Sequence, residues 1–199
     1  FFMLNTDLLL SYGATQGEFP VGHTIFNAGD KPAYYYQILE GRVKLNHETE
    51  DGKEFIQNIL SSGQSVCELL LFIDQTYPVN AVVLNTCKVL RLPKARFFDI
   101  LKDNPDLSMM INKFLSERLY HKFLMLQNNA SLDPVVRLRG VLNYLKSFTQ
   151  EETQYVYQIP LTRKQLAAIT GLRVETVIRA IKKMETRDML KIEDHKIFV

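Results

Sequence analysis

The sequence predicts an α+β chain, with a β-rich first half, one long helix, and a C-terminal pair of short helices closed by a two-stranded hairpin. Three observations carry that expectation. Seven of the nine glycines fall within the first 63 residues, where they punctuate short runs of alternating polarity. From about Asp106 the alternation gives way to apolar residues spaced by three and four. The charge balance also changes sign, with 12 Lys/Arg against 14 Asp/Glu in residues 1–130 and 12 against 8 in residues 131–199. A basic region joined to a slightly acidic one is the pattern expected when one end of a protein meets phosphate.

Six segments have strand length: His23 to Asn27, Tyr35 to Glu40, Arg42 to Glu48, Glu54 to Leu60, Val79 to Leu84 and Lys88 to Leu92. Within Arg42 to Glu48, Val43 and Leu45 alternate with Arg42, Lys44 and Asn46, giving one buried and one wet face. Asp51-Gly52 offers a type I′ hairpin turn. Many short strands at regular spacing imply a roll or a sandwich.

Pro93 suits the first turn of a helix, where its missing N–H has no intrahelical partner, so Pro93 to Asp103 reads as a short helix. The longest helix follows, from about Asp106 to Asn128, with Leu107, Ile111, Leu115, Leu119, Phe123 and Leu126 as its stripe and Met110, Phe114 and Met125 widening it. A helix apolar on more than one face must bury a second surface. A second copy of the chain would supply that surface; packing wholly against its own β-domain is the alternative. The small polar run Asn128 to Ser131 marks a hinge, giving domains at 1–104, 105–130 and 131–199. Beyond it, Asp133 to Phe148 reads as an amphipathic helix, Glu151-Glu152 as a loop and Tyr155 to Ile159 as a short strand.

Leu161 to Lys183 carries the most information. Thr162 followed by Gln165 has capping-box form, Leu166, Ala167 and Ile169 give a packed face, and Gly171 sits at a sharp turn. Val177, Ile181 and Met184 form the inward stripe of a second helix, completing a helix-turn-helix plan. Val174, Glu175, Ile178 and Arg179 point the other way. Arg179 can donate a bidentate pair to guanine and Glu175 can accept from cytosine. The same two residues are i,i+4 neighbours, so a surface ion pair is the plainer reading of the pair taken alone. The surroundings favour DNA: Arg163, Lys164, Arg173, Arg179, Lys182 and Lys183 face only Glu175 within the segment. Thr162, Arg163, Gln165, Arg173, Val174, Glu175, Thr176, Ile178, Arg179 and Lys182 are therefore the candidate DNA-binding residues. Leu190 to Ile192 and Lys196 to Val199, around Glu193-Asp194-His195, form a two-stranded wing.

Enzyme chemistry is not indicated. No Ser/His/Asp set, phosphate-binding glycine loop or paired histidine ligands are present, and His23, His47, His121 and His195 are scattered. Cys67 and Cys87 lack metal-binding spacing and read as buried small hydrophobes, so no metal, catalytic residue or cofactor is expected. No apolar run approaches the ~18 residues of a membrane span, and no leader pattern precedes the first strand, so the expected location is the cytoplasm, away from membranes.

The segments Gly22 to Phe26, Gly29-Asp30, Gly41 to Leu45, Asp51 to Glu54, Gly63-Gln64 and Glu68 to Phe72 resemble the β-roll of the Crp/Fnr family. Leu161 to Gln165, Gly171, and Val174 to Arg179 resemble that family's helix-turn-helix. The resemblance implies a cyclic-nucleotide-binding-type β-roll of jelly-roll-like form, a long dimerisation helix and a winged helix-turn-helix. It implies a homodimer placing two recognition helices in successive major grooves of double-stranded DNA, with RNA polymerase as a further partner. A cyclic-nucleotide-binding protein that controls something other than transcription is the alternative. By alignment the effector pocket comprises Glu68, Leu69, Val79, Asn80, Ala81, Lys122 and Phe123. Cyclic-AMP-binding relatives have Gly-Glu-Leu and Arg-Ser-Ala where this chain reads Cys67-Glu68-Leu69 and Val79-Asn80-Ala81. Without the arginine a buried cyclic phosphate loses a charge-assisted contact, so weak or no cyclic AMP binding is expected and the effector stays unknown. Arg173 and Ile178 also depart from the family pattern.

Overall fold

Two long antiparallel strands carry the N-terminal half. The computed structural model describes residues 4–48, 52, 54–147 and 153–199. The chain divides into two compact units, Phe1–Leu115 and Ser116–Val199, with the division inside the long helix.

In the first unit, α1 (Thr6–Ser11) is capped by Asn5, whose side chain accepts from the N–H groups of Asp7 and Leu8. Strands β1 (Thr15–Phe19), β2 (Thr24–Phe26), β3 (Tyr34–Glu48), β4 (Glu54–Ser61) and β5 (Asn80–Pro93) form one antiparallel sheet in the order β1-β5-β3-β4, with β2 also on β5. The segments expected as four separate strands are therefore two continuous ones, β3 and β5. The break suggested by Gly41 is a register irregularity, which shifts the pairing of β3 on β5 between Ile38 and Val43 without ending either strand. Gly41 is required there: its φ is +94°, and a Cβ would lie 2.4 Å from Cys87 Sγ and 2.6 Å from the Thr86 carbonyl oxygen. Strand β1 was not anticipated, since its side chains are exposed or half-buried and Gly17 interrupts its pattern. The proposed Asp51-Gly52 turn lies largely outside the described residues.

Among the described residues, two buried clusters fill this unit. One is the roll interior, with Phe26, Tyr36, Ile38, Val43, Tyr77, Val79, Ala81 and Cys87 among its members. Phe26 and Tyr77 stack there at 3.6 Å between centroids. The other joins Leu4, Leu9, Tyr35 and Leu71 to Phe97 and Ile100 of α2 (Lys94–Asp103) and to Ile111 of α3 (Pro105–Asn129). Pro93 is not in the helix: its ψ of 140° is extended, and it closes β5 opposite Tyr34 before α2 begins. Pro105 instead takes the helix-starting position, where the lost N–H costs nothing.

The second unit contains α4 (Pro134–Lys146), α5 (Arg163–Thr170), α6 (Val174–Glu185) and a hairpin of β6 (Lys191–Glu193) and β7 (Lys196–Phe198). Asp133 caps α4, and Gly140 admits Asn128 so closely that a Cβ would lie 2.6 Å from it. The expected loop at Glu151-Glu152, like the expected helical end at Phe148, lies outside the described residues. The expected strand from Tyr155 to Ile159 reduces to one bridge between Gln158 and Phe198, because Tyr155 has a φ of +62° and Pro160 follows directly. Asp194 and His195 both have positive φ, as a two-residue type I′ turn needs.

Candidate nucleic-acid interface

The helix pair is fixed by local chemistry at both ends of its turn. The Thr162 hydroxyl accepts from the Gln165 N–H at 3.2 Å, and Gln165 Oε1 accepts from the Thr162 N–H at 2.9 Å, so the capping box is complete. Gly171 closes α5 in the left-handed region at φ +67°, and the next N–H, of Leu172, donates to the Ala167 carbonyl at 3.1 Å. Val177, Ala180, Ile181 and Met184 are buried on the inward face of α6, which packs on α4 and α5, whose Leu138, Val141, Leu166 and Ile169 are buried as well. Arg173 occupies the N-cap of α6 without a side-chain capping bond, leaving the first N–H groups of that helix to other acceptors.

The outward edge of α6 holds Glu175, Ile178, Arg179 and Lys182, all exposed, with Val174 and Thr176 half-buried beside them. Among the described residues no ion pair joins Glu175 to Arg179. Lys183 of the same helix and Arg173 at its N-cap are exposed, as is Lys164 of α5. Arg163 sits differently: half-buried, it donates from Nη1 to the His195 carbonyl at 2.5 Å and ties the start of α5 to the wing turn. That carbonyl is far away in sequence, and nothing local announces it.

Sequence reasoning anticipated a helix from Asp133 but did not connect its start with α6. Asp133, Pro134 and Val135 line a cleft of about 230 Å³ with Thr176, Arg179, Ala180 and Lys183. The Asp133 carboxylate is engaged there as the cap of Val135 N–H, at 2.9 Å. The approach of this helix end to Thr176 and Arg179, some forty residues on, has no local signal in the sequence.

The six residues expected on a dimer face of α3 divide. Ile111 is buried at 1% exposure in its own chain's second cluster, so it is corrected to a core position, while Leu107 and Leu115 are half-buried and pack against that cluster. Leu119, Phe123 and Leu126 are 54%, 60% and 69% exposed, with Tyr120 beside them. The sequence could not separate the two sets because all six fall on one periodic stripe.

The candidate effector residues are likewise scattered in role. Glu68 is buried in the 3-10 turn Glu68–Phe72, accepting from Ser65 Oγ at 2.7 Å, while Leu69 of the same turn is 47% exposed. Cys67, with φ +55°, holds a left-handed conformation where the family pattern has glycine. Val79 and Ala81 are buried in the roll interior, and Asn80 accepts from the Ala28 N–H at 2.9 Å. Lys122 places its ammonium 5.7 Å from the Tyr144 ring centroid, and Phe123 is exposed.

Comparison with known proteins agrees with this architecture. Residues 16–104 match the cyclic nucleotide-binding domain and residues 117–199 match the Crp-like helix-turn-helix domain. The cAMP-activated global transcriptional regulator CRP of Pasteurella multocida is 28% identical over 92% of this chain and 88% of that protein. The fold is shared with the c-di-GMP responsive global regulator CLP of Xanthomonas campestris, at a TM-score of 0.72 and 22% identity over 97% and 96% of the two chains. It is shared too with a CooA mutant of Carboxydothermus hydrogenoformans, at 0.77 and 15% over 98% and 86%. No helix among the described residues is long and apolar enough to cross a membrane. With a cyclic nucleotide-binding domain followed by a Crp-like helix-turn-helix over nearly its whole length, the chain belongs to the Crp/Fnr family of transcription regulators.

Proposed function

We propose that the chain binds double-stranded DNA sequence-specifically as a homodimer, through α6. The observation that carries this reading is the outward edge of α6, where Glu175 and Arg179 stand exposed and unpaired with each other, with Arg173, Lys182 and Lys183 exposed on the same helix or its cap and Lys164 exposed on α5. Cations at the rim suit phosphate contacts, which position the helix; the central carboxylate and guanidinium suit base edges, which specify sequence. The exposed Leu119, Phe123 and Leu126 support a second copy as the partner of α3, and RNA polymerase is a further partner by family likeness.

Cyclic AMP is not the effector in its usual mode on this reading. Val79 replaces the arginine of the family pattern and is packed in the roll interior, where Tyr77 stacks on Phe26. The Glu68 carboxylate already accepts from Ser65.

Selection of bound duplexes from a random pool, followed by gel-shift measurement, tests the proposal. The wild type should enrich a near-palindromic site, and Glu175→Ala with Arg179→Ala should retain non-specific binding while losing the preference by about tenfold or more. Equal affinity of wild type and double variant for selected and scrambled duplexes would remove the assignment.

A further inference from the structure

Resting on the DNA-binding reading above, we propose that Ile178 reads the 5-methyl group of a thymine beside the base pairs contacted by Glu175 and Arg179. The inward face of α6 is filled by Val177, Ala180, Ile181 and Met184, each 5% exposed or less. Ile178 is 45% exposed, the one large apolar side chain of α6 turned to solvent, so the packing of the helix does not use it. Helix formation does not call for it either, since a β-branched residue at an exposed helical position loses side-chain freedom that an unbranched residue keeps.

Its position supplies a use. One turn earlier on the same edge lies Val174, half-buried at the start of the helix, so the two form a short apolar ridge. Beside that ridge runs a polar one, Glu175 and Arg179, also one turn apart. A helix lying in the major groove presents both ridges to neighbouring base pairs. The hydrogen-bonding ridge meets donors and acceptors. The apolar ridge can be complemented there by one group only, the thymine methyl. An isoleucine set against a guanine–cytosine pair would instead cover polar base edges without bonding them, which penalises that sequence.

The test replaces, one at a time, each thymine of the selected duplex by deoxyuridine, which removes only the methyl. The wild type should lose about fourfold affinity at one position per half-site, the effect of withdrawing one buried methyl from contact. Ile178→Ser should bind the same duplex with an unchanged salt dependence and show no loss at that position, whereas Ile178→Val should keep most of it. A selected duplex whose every thymine tolerates replacement, or an Ile178→Ser variant as sensitive as the wild type, would overturn the inference while leaving DNA binding standing. Failure to enrich any duplex would overturn both.

Discussion

The side chain of Gln37 holds the backbone of Leu4 as a neighbouring strand would. Its Oε1 accepts from the Leu4 N–H at 3.1 Å and its Nε2 donates to the Leu4 carbonyl at 2.9 Å, with the Tyr35 hydroxyl donating to the same Oε1 at 2.6 Å. Gln37 is fully buried, and Leu4 is 1% exposed. One polar side chain thus pins the N-terminal segment onto the cluster that also contains Leu71 and Ile111. Gln37→Leu keeps the volume and strands the two backbone groups of Leu4 away from water. At ~1–3 kcal/mol per unsatisfied buried group, moderated by local opening, a loss of about 3 kcal/mol is expected in urea denaturation. A loss below about 0.5 kcal/mol would show that the segment is not held in this way.

Gly41 governs the passage of β3 across β5. Gly41→Ala meets a left-handed backbone and contacts under 3 Å with Cys87 Sγ and with the Thr86 and Cys87 backbone. Destabilisation of about 3 kcal/mol or more is expected. Because two of the three obstructing atoms belong to the backbone, Cys87→Ala should not restore stability to the double variant. Full recovery in thermal melts would mean that the thiol alone sets the constraint.

The roll interior links stability to alkaline pH. Loss of water around the Tyr77 hydroxyl pushes its pKa above the ordinary phenol range, and the nearby Tyr36 hydroxyl and Cys67 thiol add to the rise; Tyr36 is also raised, by burial first. The unfolded chain releases these protons near 10.0, while the folded chain holds them to higher pH. Their stabilising effect is therefore complete below about pH 10 and declines as pH climbs from there toward the folded values. Stability measured between about pH 9 and 11 should fall, and Tyr77→Phe should make that fall shallower. Parallel curves for the two proteins would exclude Tyr77 as a source.

Exposure along the second half of α3 predicts self-association. Phe123→Glu places a charge in the apolar stripe with Leu119 and Leu126, and sedimentation should report a shift from dimer to monomer at micromolar concentration. Half-site binding is then all that remains, so affinity for a full site should drop at least a hundredfold. An undisturbed dimer would move the interface elsewhere.

Much of the candidate interface was legible because its signals are local. Thr162 and Gln165 sit three residues apart and cap one helix, Gly171 supplies the one left-handed residue its turn needs, and Val177, Ile181 and Met184 mark their face by spacing alone. Strand continuity was less legible, since Gly41 looks like a terminator when only neighbouring residues are seen; its role depends on Cys87, placed opposite it by the sheet. Ile111 and Phe123 share one periodic stripe and differ only in what covers them. Arg163 reads in the sequence as one cation among several, yet its partner is the His195 carbonyl, 32 residues away. In each case the missing information is a partner distant in sequence.

The dependence of duplex affinity on salt tests the central claim most directly. If the cations around Glu175 and Arg179 meet phosphate from two copies of the chain, the observed association constant should fall linearly on logarithmic axes, by about a thousandfold or more between ~50 and ~200 mM salt. A flat response would contradict the account, since a basic edge that ignores counterions is not lying against DNA.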